Sequence, residues 1–162
     1  MTDAEFPNFG RLLAPVIAQV PTHAVPRFLA LLERGAAQRY REWAADIPEH
    51  AEVLLACAVR EDEIADRIEQ VWSIDDIALG RIEALLPDAR DLYYGAFQGM
   101  PPWQQLMLQA DAELQGAAAW RGIAANHTDP DVCAQLGHCA LLEEESSREL
   151  QRIIMRRPGV GA

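Results

Sequence analysis

Glu33-Arg34-Gly35-Ala36-Ala37-Gln38-Arg39-Tyr40-Arg41-Glu42-Trp43-Ala44 reads as a helix that carries an acid on its apolar face. Ala36, Tyr40 and Ala44 follow Glu33 at +3, +7 and +11. Those offsets are close to whole helical turns, so one face holds all four residues. The pattern recurs at Glu113, which is followed at the same offsets by Gly116, Trp120 and Ala124. A second acid trails each copy: Glu61 lies 28 residues after Glu33, and Glu143 lies 30 after Glu113. The chain therefore reads as two similar helical hairpins, each directing two carboxylates at a shared interior.

Outward from these stretches, helix A is expected over 25–47, with Pro26 in its first turn, and helix B over 49–71. Leu29, Glu33, Ala36, Tyr40, Trp43 and Ile47 line the inner face of the first. His50, Val53, Cys57, Glu61, Ile64, Ile68 and Val71 line that of the second. Pro48 alone separates them, which makes them antiparallel neighbours. Residues 72–101 form a helical crossover in which Ser73 is the expected cap and Pro87 the expected break. Helix C spans 102–126, with Leu106, Ala110, Glu113, Ala117, Trp120 and Ala124 inward. Thr128-Asp129-Pro130-Asp131 starts helix D, expected over 129–155. Residues 1–24 form an N-terminal extension with a short helix near 9–19, and 156–162 a Pro/Gly-rich tail. No β pattern of any length occurs. The expected fold is all-α, a single-domain four-helix bundle of two antiparallel hairpins joined by a long helical crossover.

With 162 residues, half of them hydrophobic, the chain can bury a substantial core. A net charge of −11 excludes a general nucleic-acid binder, which needs clustered cations for phosphate neutralisation. No run of 18 apolar residues suggests a membrane span. The first residues lack a basic n-region, and three cysteines (Cys57, Cys133, Cys139) show no Cys-x-x-Cys spacing. The expectation is a cytoplasmic protein with reduced thiols.

Glu42, Glu63, Glu69 and Glu144 read as solvated helical acids. Glu33, Glu61, Glu113 and Glu143 differ because each interrupts an apolar stripe. Buried, unpaired carboxylates cost several kcal/mol, so they must be protonated, paired or metal-bound. Four meeting in one core would repel one another unless cations or protons intervened. Hard divalent cations provide that compensation through oxygen ligands.

At this point the run Glu33-x-x-Ala36-x-x-x-Tyr40-x-x-x-Ala44 resembles helix A of rubrerythrins and related ferritin-like di-iron proteins. The stretch from Ile123 through Leu142-Glu143-Glu144-Glu145 to Leu150 is similar to the end of helix C and helix D of that family. The resemblance covers 25–72 and 103–156. It implies a two-metal site of iron or manganese, with Glu33 and Glu113 as lone glutamates and Glu61 and Glu143 each opening a Glu-x-x-His pair. The two histidines are missing: Ile64 and Ser146 stand in their places. His50 lies about 16 Å along helix B from Glu61, at 1.5 Å per residue, so it cannot substitute at the same centre. His23, His127 and His138 read as structural or solvated. Cys57 and Cys139, each four residues before an acid, read as substitute soft ligands or as small core side chains.

Three states of the cluster stay open: metal held chiefly by carboxylates, a metal-free remnant with shared protons and hydrogen bonds from Tyr40, Ser146 or an arginine, or acids that face solvent. Tyr40 and Trp120 read as core aromatics or as an electron relay. Tyr93, Tyr94, Phe97, Trp103 and Met107 read as packing of the crossover, or as a dimer surface or ligand pocket. The functional expectation is a non-catalytic accessory or interaction module with a degenerate carboxylate site, acting as a homodimer or beside another subunit. The alternative is a di-iron or di-manganese oxidoreductase or oxygenase using the four glutamates. Iron storage is a third, weaker reading.

Overall fold

Asn8 opens the first helix by accepting a hydrogen bond from the Arg11 backbone N–H at 2.9 Å. In the computed structural model, which describes residues 6–157, six α-helices follow one another: α1 (Phe9–Ile17), α2 (Val25–Asp46), α3 (Ala51–Val71), α4 (Asp76–Gly95), α5 (Pro102–Ala125) and α6 (Pro130–Met155). Single 3-10 turns at Thr22–Ala24 and Pro48–His50 lead into α2 and α3. No strand occurs among the described residues. The expectations for residues 1–5 and 158–162 lie outside them.

Local chemistry sets most boundaries. Pro26, Pro102 and Pro130 stand in first turns, where a missing N–H costs nothing. Asp129 caps α6 by accepting from the N–H groups of Asp131 and Val132. Gly99 adopts φ 77°, a left-handed conformation that suits glycine, in the turn before α5.

Two expectations about the crossover need correction. The cap of α4 is Asp75, whose side chain accepts from Ala78 N–H at 2.7 Å, and not Ser73. Pro87 does not break the segment: α4 runs through it as one helix. An interior proline costs about 3 kcal/mol through a lost hydrogen bond and a steric clash. Ile82 and Ala89, on either side of Pro87, are buried in one cluster with Leu13, Val16 and Phe28. Ending the helix at the proline would uncover part of that cluster, so packing outweighs propensity here.

α2 pairs with α3 and α5 with α6, and the two hairpins meet chiefly through α3 and α6. α2 and α5 approach less closely, and α1 and α4 pack across that side. Two apolar clusters fill the bundle. One contains Tyr40, Trp43, Leu54, Cys57, Leu106 and Leu150, the other Ala30, Ile64, Ile68, Trp120, Leu136 and Leu142. Along every long helix of the bundle, the acid falls between a residue of one cluster and a residue of the other. The carboxylates therefore form a polar layer at mid-bundle, with apolar packing above and below. The same order of clusters shows that α3 and α5 run in the same direction, so α4 carries the chain back along the bundle's length.

Candidate metal centre

One acid comes from each helix: Glu33 from α2, Glu61 from α3, Glu113 from α5 and Glu143 from α6. Glu61, Glu113 and Glu143 are 1–2% exposed. Glu33 is half-buried, and it lines the cavity that adjoins the other three. Glu33, Glu61 and Glu143 each place a carboxylate oxygen within 4.8 Å of those of the other two. Glu113 stands close enough to both Glu61 and Glu143 to raise their pKa values. The third of the open states, acids facing solvent, does not describe this arrangement.

Hydrogen bonding around the layer is uneven. The Tyr40 hydroxyl donates to Glu113 Oε1, which also accepts from Gln109 Nε2 at 2.7 Å. Tyr93 donates to Gln109 Oε1 at 3.1 Å and so orients that amide. Trp120 Nε1 donates to Glu143 Oε1 at 3.1 Å. Both oxygens of Glu61, together with Glu113 Oε2 and Ser146 Oγ, are buried with no hydrogen-bond partner. A buried acceptor left in this state costs about 1–3 kcal/mol, and more when charged. Among the described residues no arginine bonds the four acids.

Electrostatics follow from that geometry. Burial raises Glu33 from 4.5 to about 7, with the Glu113 charge adding to the rise. Burial, reinforced by the charges of Glu113 and Glu33, holds Glu61 well above the usual carboxylate range. Burial does the same to Glu143, with Glu33, Glu61 and Glu113 all adding. Without a cation the cluster favours protons. A divalent cation would remove both the repulsion and the orphaned acceptors at once.

The donor set is all hard oxygen, and it fits a hard divalent ion such as Mn²⁺ better than one that prefers nitrogen or sulfur. Ile64 is fully buried, in the apolar cluster beside the acids. Cys57 and Cys139 are buried but lie outside the convergent group, as do the histidines. His138 faces Glu63 at 3.3 Å, and His127 packs against Trp72. The acids expected in solvent lie outward in ion pairs: Glu42 with Arg39, Glu63 with Arg67, Glu69 with Arg34 and Glu144 with Arg121.

A cavity of about 520 Å³ opens from the layer between α2 and α5, beneath α1 and α4. All four acids line it, and Leu13, Leu29, Leu32, Ala36 and Trp120 supply apolar wall.

No family model matches this chain, and no curated protein or solved structure does either.

Two site features escaped the sequence reading. Gln109, one turn before Glu113, was a polar residue among apolar neighbours and could have been noticed. At Gly116 a Cβ would stand 2.5 Å from Glu143 Oε1, so the carboxylate occupies the space of its side chain. The aromatics of the crossover divide. Tyr93 and Phe97 pack with Phe9, whereas Trp103 lies under Arg157 and Met107 lines a separate small pocket.

Proposed function

We propose that the protein is a ferritin-like bundle whose Glu33, Glu61 and Glu143, with Glu113 alongside, hold a hard divalent cation, manganese or iron, at the inner end of a cavity for a small molecule. The observation that carries this is Glu61, buried at mid-bundle with two acceptor oxygens that no protein group satisfies. The charge balance agrees, since four carboxylates compensate two divalent cations, or one cation with two retained protons. When bound, manganese or iron would supply Lewis acidity and a one-electron redox couple. Around it, Tyr40 and Gln109 would fix Glu113, and Trp120 would fix Glu143, so the ligand geometry is set before the ion arrives. The adjoining cavity supports an oxidoreductase more than a purely structural module.

Elemental analysis after chelator treatment and reloading with Mn²⁺ tests the reading. One to two ions per chain are expected, dropping below a tenth of that in Glu61→Gln. Full retention in Glu61→Gln would refute it.

A non-catalytic accessory module is the second reading. Fully buried Ile64, at a position where the family has a ligand, favours it, as does the readiness of the acids to hold protons. Under that reading Glu61→Gln and Glu143→Gln stabilise the fold and Mn²⁺ leaves the melting temperature unchanged.

A further inference from the structure

The acid layer occupies only the inner end of the cavity. The remaining wall comes mainly from apolar side chains of α1, α2 and α5, with Arg90 and Tyr94 of α4 on the same lining. Arg90 is the one basic residue of that lining among the described residues. It is exposed and makes no ion pair with them. Gly35 lets it lie close on α2: a Cβ at that position would stand 3.4 Å from Arg90 Nε and 2.9 Å from the Tyr94 hydroxyl. Three of the acids lining the cavity are buried and Arg90 is exposed, so the guanidinium marks its solvent side, and the rest of the lining is mainly apolar.

We propose that this cavity binds a single-headed amphipathic carboxylate, with Arg90 taking the head at the rim and the apolar chain running inward to end beside the glutamates. The proposal rests on the metal-centre reading only for what the chain's inner end meets. A guanidinium fork matches a carboxylate through two parallel charge-assisted hydrogen bonds. The four acids disfavour a second anion at the inner end, which sets the head outward. Apolar burial along the wall supplies most of the affinity. A medium-length alkyl chain fits within a cavity of about 520 Å³.

The test uses the full chain in two forms, stripped with chelator and loaded with Mn²⁺, in equilibrium dialysis against decanoate and against decanol. Decanoate is expected to bind both forms. Arg90→Gln, an exposed substitution that leaves the core untouched, is expected to weaken decanoate about tenfold and to leave decanol within about twofold. Ala36→Phe, which narrows the cavity, is expected to weaken both by about tenfold, with a melting curve confirming its fold. Failure of decanoate to bind either form would overturn the proposal, as would an unchanged affinity in Arg90→Gln. Binding that requires Mn²⁺ and ignores Arg90 would also overturn it, since the head would then sit on the metal. Arg90-dependent binding to a chain that takes up no metal would instead refute the metal-centre reading and leave this one standing.

Discussion

The two hairpins of the bundle share a register and differ in what surrounds each acid. In the first, Ala36 follows Glu33 by one turn, Tyr40 by two, and Ile64 follows Glu61. In the second the same positions are Gly116, Trp120 and Ser146. Tyr40 reaches across to Glu113 of the other hairpin, whereas Trp120 bonds Glu143 within its own. Glu61 is left without any donor, although Glu143, its counterpart, has one. Ile64 is part of an apolar cluster, but Ser146 is a buried hydroxyl with no partner. The lesson is that a repeated backbone arrangement does not repeat the chemistry. One half uses its follow-on position for packing, and the other leaves a buried polar atom without a partner.

The largest break in the comparison is expected from truncating those follow-on residues. Ile64→Ala should destabilise by about 2–5 kcal/mol in chemical denaturation, because it opens a void in a close-packed cluster. Ser146→Ala, at the matching position, belongs at the other end of the scale.

Titration gives the next effect. Without a cation, burial raises Glu33 from 4.5 to about 7 and raises Glu61 and Glu143 as well. An acid raised on folding contributes stability that is complete below the unfolded value and lost as pH climbs through the folded one. At about 1.4 kcal/mol per pKa unit, the loss for the cluster as a whole is on the order of a few kcal/mol. The melting temperature without metal should fall from pH 5 to pH 8. Glu33→Gln should flatten the fall, and Mn²⁺ should reverse it at the upper end. A melting temperature constant across this window would contradict the buried placement of these acids.

Gly116→Ala sharpens the contrast between the two +3 positions. The new Cβ would meet Glu143 Oε1 at 2.5 Å and Cδ at 2.9 Å, so the carboxylate must turn away from its neighbours. Mn²⁺ affinity is expected to drop about tenfold, equivalent to about 1.4 kcal/mol. Ala36→Gly, the mirror exchange in the first hairpin, should leave it within about twofold, and titration calorimetry reads both. Ser146→Ala is the smallest effect: removing an unpartnered buried hydroxyl should change stability by less than about 1 kcal/mol, with the sign toward stabilisation.

Much of the helical plan was legible because it depends on short-range chemistry. The caps and prolines at Asp129-Pro130, Pro102 and Pro26 mark helix starts wherever they occur. The acids at 33, 61, 113 and 143 were legible for a similar reason, since each breaks an apolar stripe with the helical period. The α4 helix was misread at Ser73 and Pro87 because its continuity depends on α1 and α2, which bury Ile82 and Ala89 from outside the segment. The bond from Tyr40 to Glu113 joins residues 73 apart, and no local pattern specifies which carboxylate a hydroxyl will meet.

Sequence alone determined that this chain is helical and that each of four helices presents a carboxylate on its apolar side, because helical periodicity and capping act within a few residues. Tertiary packing alone decided that Glu61 is left without a donor, that Gly116 makes room for Glu143, and that α2 and α5 stand apart around a cavity. Those outcomes are set by distances between helices, which pattern along a single helix does not encode.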